Sequence, residues 1–272
     1  MAKIIGLDCG HGLRTSGKQT PDGIKEWTLN DKVRDKVVAL LKGYDVKFVF
    51  TDYDEGNTDE ALGDRVRHYI NADVDVFVSI HHNAFTGKWN NATGVEVYVD
   101  KNPTAKDNAL ANAIYKRLPG YTGLKGRGIK KENWYVINQN KIPAVLVEGG
   151  FMDSNNDYKV ITSDKGQEAY ARAVAEGLIE FLGLVKNANT QATKPVAEKP
   201  DAAQSFNKSK AGTYRTTANL HLRVGASTSK KSICVMPKNS LVTNYGYYTG
   251  VWYLVKYGDK TGFCSSNYLK RK

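Results

Sequence analysis

The chain has 272 residues, of which 41% are apolar and 25% are charged, a composition typical of globular proteins. No segment approaches the roughly 18–20 apolar residues that a membrane-spanning helix needs, and the first residues turn polar too soon for a secretory signal. The net charge of +11 is uneven, because residues 1–183 contain 24 basic and 25 acidic side chains whereas residues 212–272 contain 10 and 1. The C-terminal part therefore favours a polyanionic partner, and charge alone leaves nucleic acid, anionic lipid and wall polymers open.

Residues 1–183 alternate between strand-like and helix-like segments. Runs rich in β-branched and aromatic residues predict strands at Lys3–Asp8, Val46–Thr51, Val74–Ile80, Val95–Val99, Trp134–Ile137 and Ile142–Val147. Apolar residues at three- and four-residue spacing predict helices at Leu29–Leu41, Ala61–Ile70, Ala105–Leu118 and Gly166–Leu182. This alternation predicts an α/β domain whose twisted, mostly parallel sheet is covered by helices on both faces.

The composition changes after residue 183. Residues 184–211 contain few large apolar side chains and two Lys-Pro steps, which predicts a flexible linker. Residues 212–272 contain short strand-like runs separated by turn residues and show no helical periodicity. The chain is thus predicted to have a large α/β domain at 1–183, a linker at 184–211 and a small all-β barrel at 212–272.

Metal-binding residue types follow three of the predicted strands. His11 stands between glycines just after the first strand, His81 ends the third, and Glu148 follows the last. The carboxyl ends of strands are where open α/β sheets collect their ligands. Side chains alternate along a strand, so His81 is predicted to face the site and His82 to face away.

Two histidines and one carboxylate, with a fourth position open to water, form the ligand set of a hydrolytic zinc site. Glu26 precedes the first predicted helix and supplies a carboxylate near the end of the first strand. A further carboxylate is needed to move the proton of the attacking water, and Glu148 is available for this. On spacing alone the alternative stays open that these are ordinary loop histidines and a buried, hydrogen-bonded carboxylate.

Together these segments resemble the zinc N-acetylmuramoyl-L-alanine amidases of the amidase-3 family. The resemblance extends in order and spacing over nearly all of residues 1–183, and its motifs are Asp8–Gly12, Glu26, Val78–Ala84 and Pro143–Phe151. It implies that His11, Glu26 and His81 bind one zinc ion and that Glu148 is catalytic. It implies cleavage, by a zinc-activated water, of the amide between N-acetylmuramic acid and L-alanine of the stem peptide.

Two further residues are candidates for substrate binding. Asn83 shares a strand face with His81, and it either hydrogen-bonds substrate or only shapes the strand end. Arg127 matches a family position near the substrate cleft, and a solvated loop arginine is the alternative. Glu96 is out of step with the valines around it and is expected either to have a structural role or to support the side chains that contact metal or substrate.

Residues 212–272 resemble a bacterial SH3 domain, through Leu220–Thr228, Val251–Tyr257 and Gly262–Leu269. The resemblance implies binding to bacterial peptidoglycan, and the excess of basic residues suggests attraction to anionic wall polymers. Nucleic acid is not an expected partner.

The sequence therefore predicts an endolysin-type wall hydrolase. Without a signal peptide it would be made in the host cytoplasm and act on the wall after release; the few cysteines, with a Cys234–Cys264 disulfide left open, fit reduced synthesis. The alternatives are a host autolysin of the same activity, a zinc peptidase cutting within the stem peptide, and a wall-binding protein without catalysis.

Overall fold

A computed structural model describes residues 2–51, 56–139, 141–187, 200–258 and 260–272. The chain divides into two compact units, residues 1–190 and 191–272. No helix among the described residues is long and apolar enough to cross a bilayer. None of Cys9, Cys234 and Cys264 takes part in a disulfide, so the Cys234–Cys264 pairing left open by the sequence does not form here.

Where the structure describes it, the first unit contains one six-stranded sheet and six helices. The strands are β1 (Lys3–Cys9), β2 (Val46–Phe50), β3 (Val76–Asn83), β4 (Val95–Asp100), β5 (Gly126–Glu132) and β6 (Ala144–Phe151). The helices are α1 (Glu26–Leu40), α2 (Leu62–Asn71), α3 (Ala105–Tyr115), α4 (Leu118–Thr122), α5 (Tyr158–Ile161) and α6 (Asp164–Leu182).

The sheet has the order β2-β1-β3-β6-β4-β5 and is parallel except between β6 and β4. The buried stripe of α1, Leu29, Val33 and Val37, packs on one face together with apolar residues of α3 and α6. Helix α2 and the segment that follows β5 cover the other face. The predicted α/β architecture is confirmed, because both faces are buried as the near-continuous apolar strands require.

One predicted strand is wrong. Residues 134–137 form a turn, closed by a hydrogen bond of 3.0 Å from the Ile137 amide to the Trp134 carbonyl. Val136 and Ile137 are buried against the sheet's second face, so they cover the sheet instead of extending it. The edge strand is the charged segment just before them, β5, whose side chains are mostly exposed. Charged residues on an edge strand discourage pairing with other chains.

The described part of the second unit contains an antiparallel sheet of eight strands. They are β7 (Ser205–Phe206), β8 (Gly212–Thr216), β9 (Leu220–Arg223), β10 (Ser232–Met236), β11 (Leu241–Thr249), β12 (Trp252–Tyr257), β13 (Lys260–Ser265) and β14 (Leu269–Arg271). The order is β10-β9-β13-β12-β11-β8-β14, with β7 paired to β11. A small core that includes Leu222, Met236 and Val242 fills its interior, as an all-β domain of this size requires.

Both units reach into the segment predicted as linker. The Asn187 amide donates to Gly43 O at 2.9 Å, which ties residues 184–187 to the first unit. The Asp201 amide donates to Val224 O at 2.6 Å, and β7 pairs with β11 in the second unit. These attachments use backbone hydrogen bonds, which composition does not reveal. The predicted linker residues 188–199 lie outside the described residues.

Candidate active site

The three predicted metal ligands lie together at the carboxyl end of the sheet. His11 follows β1, Glu26 is the first residue of α1, and His81 belongs to β3. Glu26 Oε2 is 3.4 Å from His11 Nε2, and Glu26 Oε1 is 3.0 Å from His81 Nδ1. One ligand atom from each residue lies within 4.8 Å of the other two, and within the described ranges this is the one cluster of such donors.

Gly10 makes room for this arrangement. A Cβ atom at Gly10 would lie 2.0 Å from Cε1 of His81, so the imidazole occupies the space that any side chain would need. The Gly10 amide donates to Ile80 O at 3.0 Å, which holds β1 and β3 together at this point. The next residue, His11, has a φ of 64°, a left-handed conformation that is uncommon for residues other than glycine.

Arg65 of α2 was not among the predicted site residues, and it supports the segment from Asp8 to His11. Its buried guanidinium donates to Asp8 Oδ1 at 2.6 Å, to Cys9 O at 2.7 Å and to His11 O at 2.8 Å. Asp8 also accepts from Ser79 Oγ at 2.5 Å, so the buried charges are paired and hydrogen-bonded. The only available signal was a charged residue among the apolar positions of a predicted helix.

The protonation of His11 and Glu26 suits a cation. Burial lowers the pKa of His11 to about 4, so its imidazole is neutral at physiological pH and keeps a free lone pair. Burial alone would raise the pKa of Glu26, but its hydrogen bond to His81 lowers it, so this carboxylate is ionised. Burial opposes a charge on His81, whereas the same hydrogen bond to Glu26 raises its pKa. A neutral imidazole and an ionised carboxylate are zinc ligands.

Glu148 lies beside this cluster in β6. It is aligned with His81 of β3 on one side and with Glu96 of β4 on the other. Burial raises the pKa of Glu148 to about 8, and the nearby carboxylates of Glu26 and Glu96 act in the same direction. Its Oε2 atom is buried and has no hydrogen-bond partner among the described residues. A buried polar atom without a partner beside candidate metal ligands is a mark of a functional group.

His82 faces away from the cluster, as strand alternation predicts. Its Nδ1 lies 2.8 Å from Asn30 Oδ1, and its ring meets the Tyr170 ring edge-on at 5.6 Å on the opposite side of the sheet. Burial lowers its pKa to about 4. Its role here is in packing between α1 and α6.

Glu96 organises the two predicted substrate-binding residues. This fully buried carboxylate accepts from Arg127 Nε, from Asn83 Nδ2 at 3.3 Å and from Lys130 Nζ at 2.6 Å. The guanidinium of Arg127 lies 5.1 Å above the ring of Phe151. Asn83 and Arg127 are thus held next to Glu148, and their contact with a substrate stays a prediction. The structural role expected for Glu96 agrees with these contacts.

Comparison with known proteins relates both parts of the chain to known families. Residues 5–180 match the N-acetylmuramoyl-L-alanine amidase family, and residues 218–270 match the bacterial SH3 domain. The endolysin of Bacillus phage SPP1 is 32% identical over 212 residues, which cover 75% of this chain and 75% of that protein.

Solved structures of amidases resemble the first unit as well. An N-acetylmuramoyl-L-alanine amidase from Clostridium difficile 630 superposes with a TM-score of 0.62 at 28% identity, covering 67% of this chain and 97% of the other. The catalytic domain of the Paenibacillus polymyxa amidase CwlV gives 0.60 at 31% identity, with coverage of 66% and 98%. The chain therefore belongs to the N-acetylmuramoyl-L-alanine amidase family and carries a bacterial SH3 domain after its amidase domain.

Proposed function

We propose that this chain is a zinc-dependent peptidoglycan hydrolase that cuts the amide between N-acetylmuramic acid and L-alanine of the stem peptide. The observation that carries the proposal is the convergence of His11, Glu26 and His81 beside the buried Glu148, in a chain of the amidase family. The similarity to a phage endolysin along three quarters of both chains favours an endolysin over a host autolysin.

His11, Glu26 and His81 would hold the zinc ion. Their donor atoms converge from three different elements, and Gly10 leaves the space for the His81 ring. The set offers two imidazoles and one carboxylate, which leaves a position open for water or substrate. When bound, zinc polarises the scissile carbonyl and lowers the pKa of water to about 7.

Glu148 would carry the proton. Its carboxyl group, with a pKa of about 8, exchanges a proton readily near neutral pH. In the ionised form of Glu148, Oε2, which has no partner among the described residues, would accept a proton from the attacking water and return it to the departing amine of L-alanine. Burial serves this role, because a solvated glutamate with its ordinary pKa near 4.3 would release the proton too easily.

Arg127 and Asn83 would contact substrate next to Glu148. Both side chains donate to Glu96, and among the described residues the only hydrogen bond from the Arg127 guanidinium is the one from Nε. Its two terminal nitrogens remain available for a planar acceptor such as a carboxylate or a peptide carbonyl. The side chain is about one-third exposed, at 35%, so a substrate can reach it.

Glu148→Gln tests the proposal on purified peptidoglycan. We expect kcat to fall about 10²–10⁴-fold, the range for loss of a general acid–base, with zinc content by metal analysis unchanged. Wild-type digests should contain free lactyl carboxyl groups and new N-terminal alanine by mass spectrometry. The matched control is the exposed Glu132→Gln, which should retain full activity.

Two results would contradict the proposal. Undiminished wall lysis by zinc-loaded Glu148→Gln would remove Glu148 from the reaction. New amino termini other than alanine would indicate a peptidase acting within the stem peptide.

A further inference from the structure

A cavity of about 320 Å³ opens beside the candidate metal ligands. His11 and His81 line it, together with the segment Asp59–Leu62, which leads into α2. Val136, from the turn that covers the second face of the sheet, lines it as well. Small-molecule sites have volumes of about 300–1,000 Å³. The cavity is therefore large enough for one sugar ring, and the roles proposed above leave it without a ligand.

The cavity and Glu148 lie towards different strands. Most residues that line the cavity belong to β1, to the segment just after β1, or to α2 and the segment before it. Glu148 is not one of the described residues that line it, and it belongs to β6, on the other side of β3 from β1. Arg127 of β5 lies farther in that direction. The candidate metal ligands thus have the cavity on one side and Glu148 with Arg127 on the other.

The proposed reaction sets which half of the substrate faces each side. The carbon of the scissile amide carries an oxygen, a nitrogen and the lactyl carbon that leads to the sugar. The oxygen faces the metal ligands, and the nitrogen has to come within about 2.6–3.2 Å of Glu148, directly or through one water, to receive its proton. The lactyl carbon then points away from Glu148, which is towards β1 and the cavity.

The charges on the two sides agree with this direction. Arg127 and Lys130, each about one-third exposed, share the single carboxylate of Glu96, which leaves one of their positive charges uncompensated. That side suits the carboxylates of a stem peptide. In the cavity, the Glu60 carboxylate has no hydrogen bond or ion pair among the described residues, and Asp59 is 42% exposed. These two carboxylates would repel a peptide carboxylate but accept hydrogen bonds from sugar hydroxyl and acetamido groups.

Arg65 fixes the wall of the cavity. Its Nε donates to Glu60 O at 2.9 Å, and its Nη2 donates to Asp59 Oδ1 at 3.2 Å. Leu62, the first residue of α2, is 53% exposed and adds an apolar surface to the same wall. A wall that is held in place before binding loses little conformational entropy when a ligand enters.

We propose that this cavity binds the N-acetylmuramoyl ring of the substrate and that the stem peptide extends past Arg127 on the other side of the metal ligands. Leu62 would contact apolar groups of the sugar, and Glu60 would accept hydrogen bonds from its polar groups. The inference rests on the proposed function, because it gives that substrate a direction across the site. Binding of the sugar would hold the amide in place for attack.

Photoreactive substrates test the direction. The full chain carrying Glu148→Gln, loaded with zinc, is irradiated with an N-acetylmuramoyl tripeptide that bears a diazirine on the acyl group of the sugar, and labelled residues are located by peptide mass spectrometry. We expect the label within Asp59–Leu62. A second probe, with the diazirine on the third residue of the peptide, should label β5 instead. The exchanged pattern, or a sugar probe that leaves Asp59–Leu62 unlabelled, would overturn the inference.

Leu62→Ala in the active chain gives a second measurement. We expect kcat/KM on the N-acetylmuramoyl tripeptide to fall about tenfold, since a lost apolar contact in a pocket has at least this effect, with zinc content unchanged. The lactoyl tripeptide, which has the same amide but no sugar ring, should be cleaved as by the wild type. The matched control is Val185→Ala, which shortens another exposed aliphatic side chain outside the cavity and should change neither rate.

An equal loss on both substrates, or no loss on either, would contradict a sugar site at Leu62. The amidase activity itself is judged by the products of the wild-type chain, whereas the labelling uses a chain that does not need to turn over. Either proposal can therefore fail without the other.

Discussion

Gly10→Ala is the substitution that tests the geometry of the site most directly. The new Cβ would lie 2.0, 2.2 and 2.4 Å from Cε1, Nε2 and Nδ1 of His81. Non-bonded carbon atoms approach to about 3.5 Å, so the imidazole would have to move by roughly 1.5 Å. Such a move would disturb the 3.0 Å contact between its Nδ1 and Glu26. The ring would therefore leave the position at which its lone pair meets those of the other two donors.

We expect a large loss of zinc affinity and of turnover, and a modest loss of folding stability. A displacement of about 1 Å at a reacting centre costs about 10²-fold in rate, and disturbed ligand positioning costs about 10–100-fold in metal affinity. Overpacking of this kind lowers the free energy of unfolding by about 1–3 kcal/mol. Zinc affinity is measured by competition with a chromophoric chelator, and turnover on purified peptidoglycan.

Gly63→Ala is the matched control. In α2 the new methyl group would meet nothing nearer than Arg67 Nη1 at 3.7 Å, and alanine should stabilise the helix by about 0.5–1 kcal/mol. Wild-type zinc affinity and turnover in Gly10→Ala would refute the assignment of His81 as a ligand held by close packing.

Three other substitutions test the supports of the site. Arg65→Met should lower the free energy of unfolding in urea by about 3–5 kcal/mol, because Asp8 would remain buried without its cation. A loss of less than about 1 kcal/mol, which the stabilisation expected from Gly63→Ala could offset, would contradict this. Burial would raise the pKa of Asp153, but backbone amides of the loop after β3 lower it. The ionised Asp153 contributes about 1–3 kcal/mol to the free energy of unfolding. This contribution is present above about pH 4 and is lost as the pH falls through the folded-state pKa. The difference in stability between wild type and Asp153→Asn should therefore narrow from pH 6 to pH 3, and a constant difference would refute this. Gly177→Ala should cost about 1–3 kcal/mol in thermal unfolding, because its Cβ would lie 2.5 Å from Ile114 Cγ1, and unchanged stability would contradict the close contact of α3 and α6.

The positions of the candidate ligands were predictable because they depend on local rules. Strand alternation separates His81 from His82, and the structure places the two rings on opposite faces of the sheet. The carboxyl ends of parallel strands meet at one edge, which brings His11 and His81 together. Glu26 was assigned mainly through the family resemblance, and it lies between the two imidazoles.

The contacts that support the ligands were not predictable in the same way. Arg65 acts on backbone carbonyls of Cys9 and His11, and such partners leave no residue pattern in the sequence. Residues 134–137 have strand-like composition, yet they serve as a cover for the sheet, because the burial of apolar side chains does not require a strand. The attachment of Phe206 to β11 depends on main-chain pairing, which its polar surroundings in the sequence conceal.

The single antiparallel pairing in the sheet separates two tasks at the site. Because β4 runs opposite to β6, and β5 runs parallel to β4, these two strands begin at the edge where β1, β3 and β6 end. The donor atoms for the metal come from strand ends and from α1, whereas Glu96 and Arg127 come from strand beginnings. The loops before β4 and β5 can therefore change in length and sequence without moving a ligand. On the proposed function, exchange of these two loops between relatives would change the substrate preference and leave the proposed zinc site intact.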